Sequence, residues 1–424
     1  MQTRLASEFR DRPEGRTADE ILRACVHCGF CLATCPTYQL LGDELDSPRG
    51  RIYQIKQVLE GAPPSRAIQV HLDRCLTCRA CETACPSGVE YGHLVDIGRA
   101  EVDARTKRPL AERLYRWALR EGVSRPRLFG FALRTGRAVS GLLPKRLRSK
   151  LGHRRPTGSW PTQIHARKVL LPTACTQPSL SPPIDFATAR VLDAVGLQSI
   201  VVQGAGCCGA IRQHLSDQEG ALAQCRANID AWWPYVESEQ VEAIVVNASG
   251  CAAMIKEYGH LLRNDPQYSS KAAHIVQRLR DPVQVLAPEL ERLRKRLSPQ
   301  GSRRIAFHPP CTLQHALQIR GKVEGLLRAL GAELVPVADA HLCCGSAGTY
   351  SLLQSDLAEE LRTRKLETLL REQPDLVLSA NIGCIAHLQG ACAVPVRHWL
   401  EWVDAALTAG RTPPMSQTGK KEVR

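Results

Sequence analysis

The chain has 424 residues, 44% of them apolar, and carries 18 cysteines and a formal charge of +14. That length accommodates two or three domains with real cores. It holds no run of about eighteen apolar residues, which excludes a membrane-spanning helix. The start, Met1 to Arg10, mixes charges and has no apolar core segment, so no targeting segment is expected. A chain this long needs no disulfide staples, and its thiol usage points to a reducing, cytoplasmic compartment.

The first predicted unit, residues 1–104, contains two cysteine runs. One is Cys25-Val-His-Cys28-Gly-Phe-Cys31-Leu-Ala-Thr-Cys35-Pro36, the other Cys75-Leu-Thr-Cys78-Arg-Ala-Cys81-Glu-Thr-Ala-Cys85-Pro86. Each reads C-x2-C-x2-C-x3-C-P, the bacterial ferredoxin run, in which three thiolates hold one cubane and the fourth reaches the neighbouring one. The reading is therefore two 4Fe-4S clusters, one on Cys25, Cys28, Cys31 and Cys85, the other on Cys75, Cys78, Cys81 and Cys35. A zinc ribbon uses two C-x2-C pairs for one tetrahedral ion, and eight cysteines in two runs of four do not divide that way. His27 lies inside the first run; with four thiols already present, it reads as a hydrogen-bonding neighbour of the ligands.

The second stretch, 105–165, is a basic helical linker. Residues 105–155 contain sixteen Lys or Arg against Glu112 and Glu121, a surplus that accounts for the whole net charge. Leu114, Trp117, Leu128, Phe129, Phe131, Leu142, Leu143 and Leu147 are interleaved, and Pro109, Pro126 and Pro144 break the stretch into short helices. Two readings stand side by side. One is an anionic membrane surface or acidic partner met by this patch, Arg146, Arg148 and Lys150 included. The other is a connecting region packing its apolar side on the same chain. No nucleic-acid-binding fold surrounds it.

From about residue 165 the chain repeats. Cys175, Cys207-Cys208-Gly209 and Cys251 form one set; Cys311, Cys343-Cys344-Gly345 and Cys384 form the other. The first cysteine precedes the pair by 32 residues in both, and the sets are offset by 136, 136 and 133 residues, which marks a duplicated unit. Strand patterns precede each cysteine: Lys168-Val-Leu-Leu, Ser199-Ile-Val-Val and Ala243-Ile-Val-Val, then Arg304-Ile-Ala-Phe, Leu334-Val-Pro-Val and Leu376-Val-Leu. Helical patterns lie between, at Asp185–Val195, Gln213–Asp230 and Ser355–Arg371. The expected fold is α/β: an α-rich two-cluster ferredoxin-like domain followed by duplicated βαβ units at 166–290 and 300–410, with a disordered tail at 411–424. Loops after parallel strands gather at one sheet edge, so cysteines on them converge there. Gly209 and Gly345 suit positive φ and a close backbone approach. The repeated cysteines are weighed as ligands, as vicinal redox pairs and as small core residues. Cys225 and Cys392 fit neither set and read as ordinary thiols.

Over nearly its full length the chain resembles the iron–sulfur subunit of the bacterial glycolate dehydrogenase (glycolate oxidase) complex. The resemblance rests on the block Cys25 to Tyr38, on Asp46-Ser-Pro-Arg-Gly-Arg51, and on the tandem units, which are similar to the CCG domains of heterodisulfide reductases, anaerobic glycerol-3-phosphate dehydrogenase and lactate-utilisation proteins. It implies an electron-transfer subunit, with FAD and substrate oxidation on flavoprotein partners and quinone or another acceptor downstream, peripheral on the inner face of the cell membrane. The same class admits lactate or glycerol 3-phosphate as donor; a stand-alone iron–sulfur scaffold or sensor is the non-enzyme alternative. CCG relatives end each unit in C-x2-C, whereas this chain reads Cys251-Ala-Ala-Met254 and Cys384-Ile-Ala-His387. An iron–sulfur cluster, zinc or no metal therefore all remain open for these units. No G-x-G-x-x-G fingerprint follows a strand, since Gln203-Gly-Ala-Gly-Cys lacks the third glycine and the acid. No catalytic residue is assigned to this chain.

Overall fold

The computed structural model describes residues 1–142, 155–298 and 301–408. Leu143, Pro144, Arg146, Leu147, Arg148, Lys150 and the tail 411–424 lie outside the described residues. In the N-terminal part, helices Pro13–Ala24, Pro48–Leu59 and Tyr91–Arg105 pack around Leu22, Ile55, Leu59, Leu94 and Val95. Proline opens the first two helices, where its missing N–H costs nothing, and the Ser47 hydroxyl accepts the Gly50 N–H at the start of the second. Both cysteine runs lie between these helices, Cys81 within the short helix Ala80–Thr83 and the other seven in loops.

Two four-stranded parallel sheets follow. The first has β1 (Arg167–Leu170), β2 (Leu197–Ile200), β3 (Ala243–Val245) and β4 (Leu279–Arg280) in the order β2-β1-β3-β4. The second has β5 (Arg304–His308), β6 (Glu333–Leu334), β7 (Leu376–Ser379) and β8 (Val396–His398) in the order β6-β5-β7-β8. The duplication is thus one of topology as well as spacing. Strands β4 and β8 escape the sequence reading because Leu-Arg and Val-Arg-His are too short for a pattern. Strand β2 begins two residues before Ser199 because its pairing with β1 starts at Leu197 opposite Arg167. The helical pattern from Gln213 to Asp230 is two helices, Ala210–His214 and Gln218–Glu237, the Asp217 side chain capping the second by accepting the Gly220 N–H.

The two sheets share one core. Val169 and Val245 of the first sheet cluster with Ile305 and Leu378 of the second and with Trp399 and Val403. Across this seam Arg190 donates to Asp404 at 2.7 and 2.8 Å, and the Ser249 N–H donates to the Ala380 carbonyl.

The basic stretch divides between its two readings, with Leu133 packed inward and most of its apolar side chains exposed. Helix Leu110–Val123 has no fully buried residue, and helix Pro126–Ala138 buries Gly130 and Leu133. Arg108 meets Asp73, Asp103 and Glu112 at 2.5–2.6 Å, and Arg212 meets Glu121 at 2.9 Å. Leu133 is buried, but Leu114 and Phe131 are each 65% exposed, beside exposed Leu110, Trp117 and Leu128. Ion pairs run both ways between the stretch and the folded units, and much of the apolar stripe stays outside.

The ferredoxin-like part meets the first repeated unit through Glu257, whose carboxylate receives Arg79 and bonds the His93 ring, each at 2.6 Å; His93 also stacks on His260 at 3.7 Å. Burial alone would raise the Glu257 pKa, but His93 and Arg79 bring it down to about 2; burial opposes and Glu257 raises that of His93. The Glu257 contribution is present above its unfolded value of 4.5 and fades as pH falls toward 2. The His93 contribution is complete below 6.5 and fades as pH rises through its raised folded value. Glu257→Gln should therefore lower the thermal midpoint most between about pH 5 and 6.5, with a smaller penalty on the alkaline side. A pH-independent penalty in thermal melts would show that the ion pair does not couple the two parts.

Candidate metal centres

The two cysteine runs share a backbone as well as a spacing. His27 and Gly29 in the first, and Thr77 and Arg79 in the second, all take left-handed φ values of 56°, 86°, 52° and 59°. This winding turns amides toward sulfur: the Thr77 N–H donates to Cys75 Sγ at 3.4 Å, and the His27 N–H serves Cys25 in the same way. It is the His27 amide that faces a thiol; its ring Nε2 is buried without a partner. Cys35 stays extended and Pro36 opens the helix Pro36–Leu41.

Thiols from the two runs line two small neighbouring cavities. Cys25, Cys28, Cys31 and Cys85 surround one of about 30 Å³; Cys35, Cys75 and Cys78 surround another of about 20 Å³; Cys81 borders both. Cys35 and Cys85 have each crossed to the other run's cavity. Two sets of converging thiols with no carboxylate among the lining residues suit the donor chemistry of iron–sulfur clusters. Burial pushes the Cys78 and Cys81 thiols well up and Cys31 up to about 11. They hold their protons until a metal replaces them.

Cations support this negative charge. Arg51 is fully buried and bonds Asp46 at 3.1 Å, Thr37 Oγ1 at 3.1 Å and the His71 carbonyl at 2.7 Å. Thr37 Oγ1 in turn lies 3.4 Å from Cys35 Sγ. Arg99 donates to the Cys75 carbonyl at 2.6 Å and to Thr77 Oγ1 at 3.0 Å.

In the repeated units the strand order reverses direction between β1 and β3 and between β5 and β7, the crevice where open parallel sheets hold ligands. Cys175 follows β1, Cys207-Cys208 follows β2 and Cys251 follows β3. Their thiols bond in series, Cys175 to Cys207, Cys207 to Cys208 and Cys208 to Cys251. Hydrogen bonds from Cys175, Cys208 and the Gly209 amide pull the Cys207 thiol pKa well below its ordinary value. The second unit places Cys311 Sγ 3.7 Å from Cys343 Sγ, with Cys344 and Cys384 continuing the line. Gly209 and Gly345 have φ of 96° and 86°, and a Cβ there would stand 3.2 and 2.6 Å from the carbonyls of Ala221 and Ala358. The close approach on the Cβ side is to a helix. Cys225 and Cys392 are buried in apolar cores. Met254 is buried, and the His387 ring bonds the Ala358 carbonyl at 3.1 Å.

Sequence reasoning missed His308, at the end of β5, and Lys365. The ligand atoms of His308, Cys344 and Cys384 all lie within 4.8 Å of one another. The signal was available: the 136-residue offset sets His308 opposite Pro172, a difference in otherwise matched positions.

This combination of a double-crossed thiol set and paired switch-point cysteine units defines a dicluster iron–sulfur protein with a duplicated cysteine-rich module. A family model described as a 4Fe-4S dicluster domain matches residues 21–89, and one described as a cysteine-rich domain matches 169–256 and 305–389. The chain is 52% identical over 409 residues to the glycolate oxidase iron-sulfur subunit of Escherichia coli (strain K12), covering 96% of this chain and 99% of that protein. It is 30% identical to the probable glycolate oxidase iron-sulfur subunit of Bacillus subtilis (strain 168), with 91% of each covered. To lactate utilization protein A of Geobacillus thermodenitrificans (strain NG80-2) it is 29% identical over 53% of this chain and 90% of the other. The chain belongs to the glycolate oxidase iron–sulfur subunit family.

Proposed function

We propose that the chain is the electron-transfer subunit of a complex that oxidises glycolate to glyoxylate, with the flavin and the substrate on partner subunits and quinone as acceptor. The observation that carries this reading is the exchange of Cys35 and Cys85 between two adjacent thiol cavities, which suits two clusters held close together. Cys25, Cys28, Cys31 and Cys85 would hold one cluster, and Cys75, Cys78, Cys81 and Cys35 the other. When bound, a pair of 4Fe-4S clusters supplies one-electron carriage between a two-electron donor and a distant acceptor. The chain's own residues shield Cys25, Cys35, Cys75 and Cys81 from water and set the local charge through Arg51, Arg99 and the amides of His27 and Thr77. The division into 1–104, 105–165, 166–290 and 300–410 follows the same reading, the first for carriage and the last two for the repeated thiol sites.

The test is anaerobic purification with the flavoprotein partners, followed by addition of glycolate, D-lactate and glycerol 3-phosphate in turn. Glycolate should bleach the visible iron–sulfur absorbance fastest. Bleaching by lactate alone would move the chain to another donor, and no bleaching by any of the three would remove the electron-transfer reading.

The exposed stripe of Leu110, Leu114, Trp117, Leu128 and Phe131 supports peripheral attachment to an anionic membrane, its aromatic and aliphatic side chains entering the interface beside basic residues. Among the described residues no helix is long and apolar enough to cross a membrane. Leu114→Glu with Trp117→Glu should cut cosedimentation with anionic vesicles at least tenfold while leaving the iron content unchanged. Undiminished vesicle binding would end the assignment.

A further inference from the structure

The geometry points to a third metal centre in the second repeated unit, an iron–sulfur centre held by Cys311, Cys343, Cys344 and Cys384 with His308 as a nitrogen ligand. It extends the proposed electron-transfer reading and rests on it only for its use, not for its existence.

His308 ends β5, one strand from the β7 loop that carries Cys384, and is 1% exposed. Neither ring nitrogen has a hydrogen-bond partner, although buried imidazoles ordinarily find one. The carbonyl of the same residue is anchored by the Ser379 hydroxyl at 3.0 Å, which fixes where the ring starts from. One ring nitrogen lies within 4.8 Å of both Cys344 Sγ and Cys384 Sγ. Cys384 Sγ also accepts from Asn381 Nδ2 at 3.5 Å. Desolvating a polar ring with no partner is costly, and a metal ion would satisfy it.

The second unit differs from the first in the two positions that matter. Pro172, which has no side-chain donor, stands where the second unit has His308. When Ala221, Ile229 and Trp232 are aligned with Ala358, Leu366 and Leu369, Asn228 faces Lys365. Lys365 is 3% exposed and donates to the Asp339 carbonyl at 2.7 Å, and its charge is felt beside Cys344, Cys343 and Cys311. A buried ammonium next to thiols makes sense where the thiols carry net negative charge. The position that completes C-x2-C in related modules is here His387, whose ring is engaged by Ala358, so the fifth donor comes from the strand instead.

Five donors exceed the four of a structural zinc site, which favours a multi-iron centre. Its place is also suited to electron flow: Cys311 and Cys343 pack in one apolar cluster with Cys78 and Leu76 of the second ferredoxin run.

The experiment is metal analysis and pulsed EPR on the anaerobically purified complex carrying wild type, His308→Ala, His308→Gln or Cys344→Ser. Wild type should hold iron beyond the about eight atoms of two cubanes, and its reduced spectrum should show nitrogen hyperfine coupling. The three variants should fall back to about eight irons, with loss of that coupling and with the other two cluster signals intact, which shows that they have folded. Wild type with about eight irons, stoichiometric zinc, or nitrogen coupling that survives in His308→Ala would overturn the centre. In any of those cases glycolate-driven bleaching of the two cubanes would persist, so the failure would not touch the proposed function.

Discussion

Cys85→Ser should remove the cluster of the first run, not that of the run in which it stands. Cys85 lines the cavity of Cys25, Cys28 and Cys31, and its charge acts on Cys25. Iron should fall by about four atoms per chain, and the spin coupling between the two clusters should vanish. Cys78→Ser should give the same iron loss from the other cluster, because Cys78 shares its cavity with Cys35 and Cys75. The two variants are told apart by which reduction midpoint survives an EPR-monitored titration. If both delete the same midpoint, the crossed assignment is wrong.

Arg51→Met identifies which midpoint belongs to which cavity. Arg51 is fully buried against Asp46 and lies near both Cys35 and Cys75. Breaking one partner of such a pair costs about 3–5 kcal/mol; Arg74, which also holds Asp46 at 2.8 Å, should keep the loss toward the lower end. The redox effect has a definite sign. A fixed positive charge favours the more negative, reduced cluster, so its removal lowers the midpoint, on the order of tens of millivolts. The shift should persist in the Cys85→Ser background and disappear with the cluster in Cys78→Ser. An unchanged midpoint in the single variant would show that Arg51 serves folding alone.

How much of this was legible depended on the range of the interaction. The left-handed turns at His27, Gly29, Thr77 and Arg79 are local consequences of short spacers between thiols, and a motif records them. The alternation of strands and helices was legible because period-two and period-3.6 patterns are properties of consecutive residues. The inward turn of Arg108 was not, since it depends on Asp73 and Asp103 reaching it after folding. Hydrophobic spacing along the helices that follow gave the amphipathic stripe but left open which way it faces.

Taken by itself, the order of residues determined that eight N-terminal thiols form two fours and that the later cysteines belong to a duplicated parallel α/β unit. Both conclusions follow from repetition at set intervals, which needs no knowledge of distant contacts. Only the tertiary structure decided that β5 delivers His308 to Cys344 and Cys384, that Cys78 packs with Cys311 and Cys343, and that an apolar stripe faces outward. Those arrangements join residues tens to hundreds of positions apart, brought together by sheet order and by the burial of charge against charge. A linear pattern carries no term for either.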